Sequence, residues 1–299
     1  MTNNKLQGHA AMIGANVMWG LMSPAAKMVL ATGTVTPILL TDMRIAGAAI
    51  LFWIASFFTK HEKVPAADLL RLAGAACLGI LFNQGCFIFG VSLSSPGEAS
   101  IITTTMPMWV MILAALILKE PITWKKTGGI ALGASGAIML VSGNLGQQIS
   151  GNNPMLGDIL VLTAQLSYAL YLTLYRNFIQ RYSLITLMKW MFLFATLLSI
   201  PPSIPSLMNT TWNAITPASW ACTGFIVVGG TFLAYICVMT GQKVLRPTVV
   251  GMYNYIQPIV ATSIGIYLGL DHFTPTKAIA VALIFSGVYL VTISKVKPK

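Results

Sequence analysis

Five ionisable side chains lie within or at the edges of long apolar stretches: Lys27, Asp42, Arg44, Arg176 and Lys189. An ionisable group in hydrocarbon costs a few kcal/mol, so such a residue marks a ligand or ion path by default. Two basic pairs, Lys27 with Arg44 and Arg176 with Lys189, would draw a carboxylate or another anion out of water by focusing the field. We therefore predict a substrate contact at Arg44 and vestibule charges at Lys27, Asp42, Arg176 and Lys189.

Simpler roles remain open for these residues. Lys27 could extend to the membrane interface as an anchor. Arg176 and Lys189 could simply belong to the usual excess of Lys and Arg near cytoplasmic loops. Asp42 could form a structural pair with Lys27 or Arg44, or it could carry a proton.

Amide and aromatic side chains recur near the middle of the apolar stretches. Amides can bind the polar end of a zwitterion, while Trp and Tyr offer a surface for an apolar or aromatic part. Some of these groups would instead join helices, since polar side chains in hydrocarbon need partners. The predicted substrate-binding residues, in addition to Arg44, are Trp19, Asn83, Gln84, Tyr168, Tyr235, Tyr253, Asn254 and Gln257. Pro107 and Pro258 lie within such stretches, where a lost backbone donor kinks a helix, and we predict that both act as hinges.

The same inventory argues against catalysis. The three histidines, His9, His61 and His272, are expected in tails or loops, and the chain has no H-E-x-x-H and no nucleotide-binding motif. No second carboxylate is predicted at the depth of Asp42, as an aspartyl pair would require. We therefore predict that the chain is not an enzyme and needs no cofactor or metal.

The elements that position these residues follow from composition. The chain has 299 residues, of which 8% are charged and 56% hydrophobic, with a net charge of +11; its mean hydropathy is +0.77. A soluble domain has roughly 25% charged residues. The composition therefore excludes a soluble enzyme or nucleic-acid binder and predicts an all-α polytopic membrane protein.

A bilayer core needs roughly 20 apolar residues per helix. Ten such stretches are predicted as spans: about 8–30, 36–58, 69–90, 96–118, 124–142, 156–177, 184–203, 217–240, 246–269 and 275–294. With the amino terminus inside, fourteen Lys and Arg residues lie in inside segments, and only Lys277 lies outside. This bias predicts that both termini are cytoplasmic. The prolines at 201, 202 and 205 are expected to end the seventh span.

The chain also repeats itself. A shift of 151 residues aligns Cys86 with Cys237, Pro107 with Pro258 and Ser135-Gly136 with Ser286-Gly287. Shifts of 149 and 145 align Trp19 with Tyr168 and Met43-Arg44 with Met188-Lys189. Two halves, 1–145 and 146–299, would each have five spans, and an odd number inverts the second half in the membrane. Inverted repeats are typical of secondary transporters that alternate access around a midplane site.

The chain resembles the drug/metabolite transporter superfamily, in particular its EamA-like ten-span branch. The resemblance rests on Trp19-Gly20 with Pro24, on Arg44, on Pro107, on the junction Leu118-Lys119-Glu120-Pro121-Ile122-Thr123 and on a Gly-rich fifth span that ends Gly136-Ala137-Ile138-Met139-Leu140. In the second half the junction reads Leu270-Asp271-His272-Phe273-Thr274, without its proline.

The resemblance implies a permease of the bacterial cytoplasmic membrane, usually an exporter of small metabolites such as amino acids, their derivatives or drugs. An importer or a channel-like facilitator of small organic solutes is the alternative. The expected partners are a small-molecule substrate and the lipid bilayer, with no nucleic acid. The expected oligomeric state is a monomer, with a dimer as the alternative.

Overall fold

The computed structural model describes residues 2–93, 102–142, 153–267 and 274–294, and these parts of the chain are helical without strands. The first half contains α1 (Thr2–Ala31), α2 (Pro37–Phe57), α3 (Ala66–Ala76, a π-helical turn at Cys77–Phe82, then Asn83–Leu93), α4 (Met106–Ile117) and α5 (Trp124–Ser142). The second half contains α6 (Pro154–Leu174), α7 (Leu184–Asn209), α8 (Pro217–Val227, a π-helical turn at Val228–Leu233, then Ala234–Val244), α9 (Pro247–Met252, a 3₁₀ turn at Tyr253–Tyr255, then Ile256–Tyr267) and α10 (Pro275–Ile293).

Several helices begin at the same local signal. Thr36, Asn153, Thr216 and Thr274 each accept a hydrogen bond from a backbone amide three residues ahead, and each precedes a proline. The side-chain oxygen satisfies one free amide of the first turn, and proline has no amide to leave unpaired there.

Six of the described helical segments are long and apolar enough to cross a membrane. They are Pro37–Phe57, Ala66–Gly90, Met155–Leu174, Leu184–Asn209, Pro217–Val244 and Pro275–Ile293, and Met106–Ile117 is a shorter apolar helix. Large apolar side chains also cover the outside of the bundle, including Phe57, Leu70 and Leu116, each more than 70% exposed. A surface of this kind suits lipid and not water. The chain is therefore an all-helical, multi-pass membrane protein.

The helix bounds repeat at the offset that the sequence repeats. Residues 66–76, 77–82 and 83–93 of α3 correspond to residues 217–227, 228–233 and 234–244 of α8, all 151 positions later. Residues 124–142 of α5 correspond in the same way to residues 275–293 of α10. Even the unusual π-helical turn is repeated, which no hydropathy pattern indicates.

Helices α5 and α10 pack closely on each other through glycines. A Cβ at Gly129 would lie 2.7 Å from the carbonyl of Gly287, and one at Gly136 would lie 2.5 Å from the carbonyl of Ala280. Residue numbers rise along α5 as they fall along α10, so the two helices are antiparallel. The Gly129-x-x-x-Gly133 pattern therefore serves packing within the chain, as small residues do in membranes.

Two details differ from the expectation. Helix α1 begins at Thr2, which places His9 inside a helix and not in a tail. Helix α7 continues to Asn209 through Pro201, Pro202 and Pro205, because each proline removes only one backbone donor and the remaining bonds keep the helical path.

The two prolines predicted as hinges lie next to interruptions of their α-helices. Pro107 is in the first turn of Met106–Ile117, and Pro258 follows the 3₁₀ turn at Tyr253–Tyr255. Each helix is interrupted just before its proline, so the proline lies in the first turn of a helical segment, where it is tolerated. Neither helix is kinked by a proline in the interior of a segment. The role of either proline as a hinge stays a prediction.

Candidate functional site

The π-helical turn of α8 organises a polar centre in the bundle. The hydroxyl of Thr231 donates to the carbonyl of Ile226, five residues earlier (2.8 Å), and the carbonyl of Gly230 accepts from Trp19 Nε1 on α1 (3.0 Å). π-helical turns free backbone groups from the regular ladder and are frequent at functional sites. A Cβ at Gly230 would lie 2.8 Å from Met22 Sδ, so a larger residue here would require the Met22 side chain of α1 to move.

Arg44 meets this turn from α2. Its side chain is buried, and its Nε donates to Thr231 Oγ1 over 3.2 Å. Within the described ranges no carboxylate lies within 4.0 Å of its guanidinium. Asp42 is buried as well, and its Oδ2 has no hydrogen-bond partner there. The side chain of Lys27 lies outside the described residues, so its pairing with Asp42 stays a prediction.

Gln84 and Tyr235 complete the centre. Gln84 Nε2 donates to the hydroxyl of Tyr235 over 2.7 Å, while Gln84 Oε1 is buried without a partner in the described structure. The Tyr235 ring packs edge-on against Trp19 (6.0 Å) and Phe192 (5.0 Å). The centre thus offers a cation, a free amide acceptor and an aromatic wall.

Tyr168 lies in a second cluster nearer the other end of α8. Its hydroxyl accepts from Gln242 Nε2 (3.3 Å), and Gln242 Oε1 accepts from the hydroxyl of Tyr171 (3.3 Å). Arg176 donates to the backbone carbonyl of Gln242. Leu172, Arg176 and Gln242 line a small cavity here. Sequence reasoning missed Gln242, because nothing in the sequence of the last turns of α8 indicates which helix it faces.

The remaining predicted binding residues join helices. Asn83 donates to the carbonyl of Ala164 (3.0 Å), Tyr253 shares a hydrogen bond with His9 (2.6 Å), and Gln257 donates to Asn16 (3.0 Å) and Asn254 (3.4 Å). These bonds satisfy their polar groups inside the bundle, as hydrocarbon requires. Their contact with substrate stays a prediction.

One end of the bundle, where α2, α6 and α8 finish, carries most of the exposed lysines and arginines, and we name it the basic end. There the two halves are joined by polar contacts. The backbone amide of Ser183 donates to both oxygens of Glu62 (3.1 and 2.9 Å), and the hydroxyl of Tyr182 donates to Asp68 (2.5 Å). Within the second half, Lys243 donates to the carbonyl of Tyr182 (2.8 Å). Sequence reasoning missed these contacts, which depend on loops far apart in the chain.

These contacts shift two pKa values. Partial burial favours a higher pKa for Glu62, but hydrogen bonds from Thr186 and Ser183 outweigh it and leave the pKa below its ordinary value. The hydrogen bond to Asp68 raises the pKa of Tyr182. Glu62 is thus held as an acceptor anion at neutral pH.

A buried ion pair also lies at the basic end, within the junction from Leu118 to Thr123. Lys119 has φ +55°, and the reversal that it allows brings Glu120 back towards α5. Glu120 accepts from Lys126 (2.7 Å) and from Thr248 of the second half (3.3 Å). Lys126, which the sequence assigned to a loop excess of charge, is instead fully buried, with a 1% exposed side chain.

The opposite end is packed differently, through apolar side chains. We name as the apolar cluster the buried residues Val29, Val35, Leu39, Leu40, Ile215 and Ile226, with Cys222 packed against them.

The geometry indicates a helical membrane protein with a buried polar centre among its described residues. Comparison with known proteins agrees with it. Residues 6–142 and 155–293 each match the model of the EamA-like transporter family. The chain belongs to this family.

Relatives and a solved structure are similar over most of the chain. It is 22% identical to the uncharacterized transporter YetK of Bacillus subtilis, over 96% of this chain and 86% of that one. It is 27% identical to the uncharacterized inner membrane transporter YedA of Escherichia coli K12, over 87% of this chain and 82% of that one. A crystal structure with 18% identity superposes with a TM-score of 0.80 over 98% of this chain and 97% of the other, which shows a shared fold.

Proposed function

We propose that the protein is a secondary transporter that exports small metabolites, such as amino acids or their derivatives, across the cytoplasmic membrane. In this proposal ten spans form two inverted five-helix repeats, 1–145 and 146–299, with both termini and the basic end in the cytoplasm. Substrate binds at the polar centre around the α8 π-helical turn, and the two ends open alternately.

The observation that carries the proposal is that equivalent residues of the two halves touch each other. Gln84 bonds to Tyr235, and the carbonyl of Thr104 accepts from the hydroxyl of Tyr255 (3.1 Å). The members of each pair are 151 positions apart. Residues related by an internal symmetry can be neighbours only beside the axis that relates the halves. The Gln84–Tyr235 pair therefore supports a binding site on the axis about which the halves would rock.

The antiparallel packing of α5 on α10 supports inversion. These two helices are equivalent at the 151-residue offset, and an axis that relates antiparallel helices must lie across them and not along them. Such an axis in the membrane plane is the one that inverted repeats have. The concentration of lysine and arginine at one end supports a cytoplasmic position for that end.

The substrate class follows from the groups at the centre. A buried guanidinium without a carboxylate in the described structure favours an anionic group, which it can bind through paired hydrogen bonds. The free Gln84 Oε1 can accept from an ammonium, and the rings of Trp19 and Tyr235 provide apolar area. An amino acid carries all three features.

The test is untargeted mass spectrometry of spent medium from cells with and without the protein. We expect a small amino acid or related carboxylate to accumulate only with the intact protein, and much less with Arg44→Gln. Lys125→Gln removes an exposed positive charge and should leave export unchanged.

Two further measurements test the direction of transport and the transport mechanism. Depletion of a metabolite instead of its accumulation would contradict export and indicate import. In proteoliposomes a carrier shows saturable flux and counterflow, and flux without either would overturn the transporter mechanism in favour of a channel. Equal loss of anionic and neutral substrates in Arg44→Gln would contradict the electrostatic role of Arg44.

A further inference from the structure

Lys189 on α7 is a buried cation without an anion. Its residue is only 6% exposed, and within the described structure its ammonium has neither a hydrogen-bond acceptor nor a carboxylate within 4.0 Å. The ammonium lies instead 5.0 Å from the ring centroid of Trp53 on α2 and 6.0 Å from that of Trp190. A cation on aromatic faces is only partly compensated, since the rings supply no hydrogen-bond acceptor in their planes.

Trp53 adds a second unpaired donor at this place. Its Nε1 is buried and has no acceptor among the described residues. Nε1 belongs to the same indole whose face the Lys189 ammonium covers, so the two donors are neighbours. A buried donor without a partner is destabilising, because its lost hydration is not replaced. Trp53 Nε1 is such a donor, and the Lys189 ammonium beside its indole has no acceptor in the described structure either, so the pair suits an acceptor that arrives from outside.

This place is distinct from the polar centre at Arg44. Phe52 pairs with Phe192 (5.3 Å) and Trp53 with Trp190 (5.4 Å), which fixes how α2 lies along α7. Arg44 is nine residues before Trp53, so the two lie roughly 13 Å apart along the α2 axis. Trp53 is nearer the basic end, where α2 finishes.

A chain of contacts connects the two cations. From the Lys189 side, Phe192 packs against Tyr235 (5.0 Å). Tyr235 is one helical turn from Thr231, which binds Arg44 over 3.2 Å. The rings of Phe192 and Tyr235 therefore lie between the two cations.

We propose that Lys189 and Trp53 form an anion site that binds the carboxylate of a small monocarboxylate substrate arriving from the basic end, before that carboxylate moves on to Arg44. The transport role of this site rests on the proposed function, whereas its chemistry can be tested by binding alone. Lys189 and Arg44 each provide one cation, at different depths along α2, and this suits a single carboxylate that moves from Lys189 to Arg44. A multiply charged anion would need more donors at each level than these residues supply.

The experiment measures equilibrium binding of radiolabelled benzoate to the purified full-length protein in neutral detergent, with benzamide as the uncharged competitor. We expect Lys189→Gln to weaken benzoate binding roughly tenfold or more, because a charge-assisted hydrogen bond is lost. Lys189→Arg should retain most of the binding. Trp53→Phe keeps the ring but removes the N–H, and it should weaken binding a few-fold.

Trp109→Phe is the matched control. Trp109 Nε1 is also buried and unpaired in the described structure, but Trp109 lies on α4 and not beside Lys189, so its loss should leave benzoate binding unchanged. Unchanged thermal unfolding would show that each variant is folded.

Other outcomes would overturn the inference. Benzoate binding that is unchanged in Lys189→Gln would contradict the proposed anion site. Competition by benzamide as strong as that by unlabelled benzoate would contradict it too. Displacement of benzoate by phosphatidylglycerol but not by phosphatidylcholine would assign the site to a lipid headgroup and contradict the substrate role. Lys189-dependent binding without carrier flux in proteoliposomes would leave the anion site standing and refute the proposed function.

Discussion

The described residues at the two ends of the bundle are held together by different chemistry. The basic end is held by directional polar contacts between distant loops, among them Tyr182 to Asp68 and Ser183 to Glu62. The opposite end contains the apolar cluster, in which Leu39 and Ile226 are fully buried. The helix bounds of the two halves repeat, but these closing residues do not, since Asp68 is equivalent to Ser219 at the 151-residue offset.

Because of this difference, the two ends should respond differently to the same kind of small structural change. Hydrogen bonds to charged groups depend on geometry, protonation and water, so a small change can break one of them. Apolar packing has no preferred direction and changes gradually as the fit worsens. The basic end should therefore respond to the loss of single polar atoms, and the apolar cluster to the loss of volume.

The largest effect is expected at the buried ion pair of the basic end. Glu120→Gln leaves the Lys126 ammonium buried without a carboxylate, which should cost about 3–5 kcal/mol of unfolding free energy. The measurement is chemical unfolding of the purified protein in detergent. The double variant Glu120→Gln/Lys126→Met should recover most of the loss, because the unpaired charge is gone. Wild-type stability in Glu120→Gln alone would contradict the importance of this pair.

At the opposite end, Leu39→Ala should create a cavity in the apolar cluster. Leucine-to-alanine changes in packed cores cost about 2–5 kcal/mol, and Leu39 is fully buried. We also expect faster maleimide labelling of Cys222, in a background where the other three cysteines are replaced. The control is Leu6→Ala, at a 68% exposed position. Labelling that does not change would show that the cluster does not close this end.

A smaller and local effect is expected from Tyr182→Phe. The variant removes one hydroxyl, and its bond to Asp68, from a solvent-accessible site, so the basic end should open roughly fivefold more often. A cysteine placed at the buried position Ile179 should report this as faster labelling, whereas Cys222 should not change. If both positions react faster, the two ends do not open independently.

The smallest effect is expected from pH. Because the pKa of Glu62 is lowered in the folded protein, its contribution to stability is present above the ordinary carboxyl pKa near 4.5 and is lost as pH falls through the lower folded value. Amide exchange at Ser183, corrected for the intrinsic rate, should therefore rise relative to neighbouring amides below about pH 4. Glu62→Gln should show no such pH step. A step of equal size in that variant would assign the effect to another group.

Part of the candidate site could be predicted from residue types alone. Arg44, Trp19, Gln84 and Tyr235 stand out because polar groups in apolar stretches must find partners inside a bundle. The structure brings these four to one place, around the α8 turn. It gives Tyr168 a different partner, Gln242, and places Asn83 and Gln257 in contacts between helices.

Other parts of the site could not be predicted. Thr231 and Gln242 look like ordinary polar residues in α8, and only the π-helical turn and the packing of α6 give them partners. Lys126 has the sequence of a loop residue, yet the reversal at Lys119 buries it beside Glu120. Trp53 matters for Lys189 only because α2 lies against α7.

By itself, the sequence determined the class of the molecule, since the apolar stretches and scarcity of charge fix a helical membrane protein through transfer energetics alone. It also determined the offset between the halves, because a duplication leaves matched residues whatever the fold. Tertiary structure decided which polar groups meet, as with Gln84 and Tyr235, and which do not, as with the unpaired Lys189. The physical reason is that hydropathy depends on residue type alone, whereas a hydrogen bond depends on positions within a few tenths of an ångström.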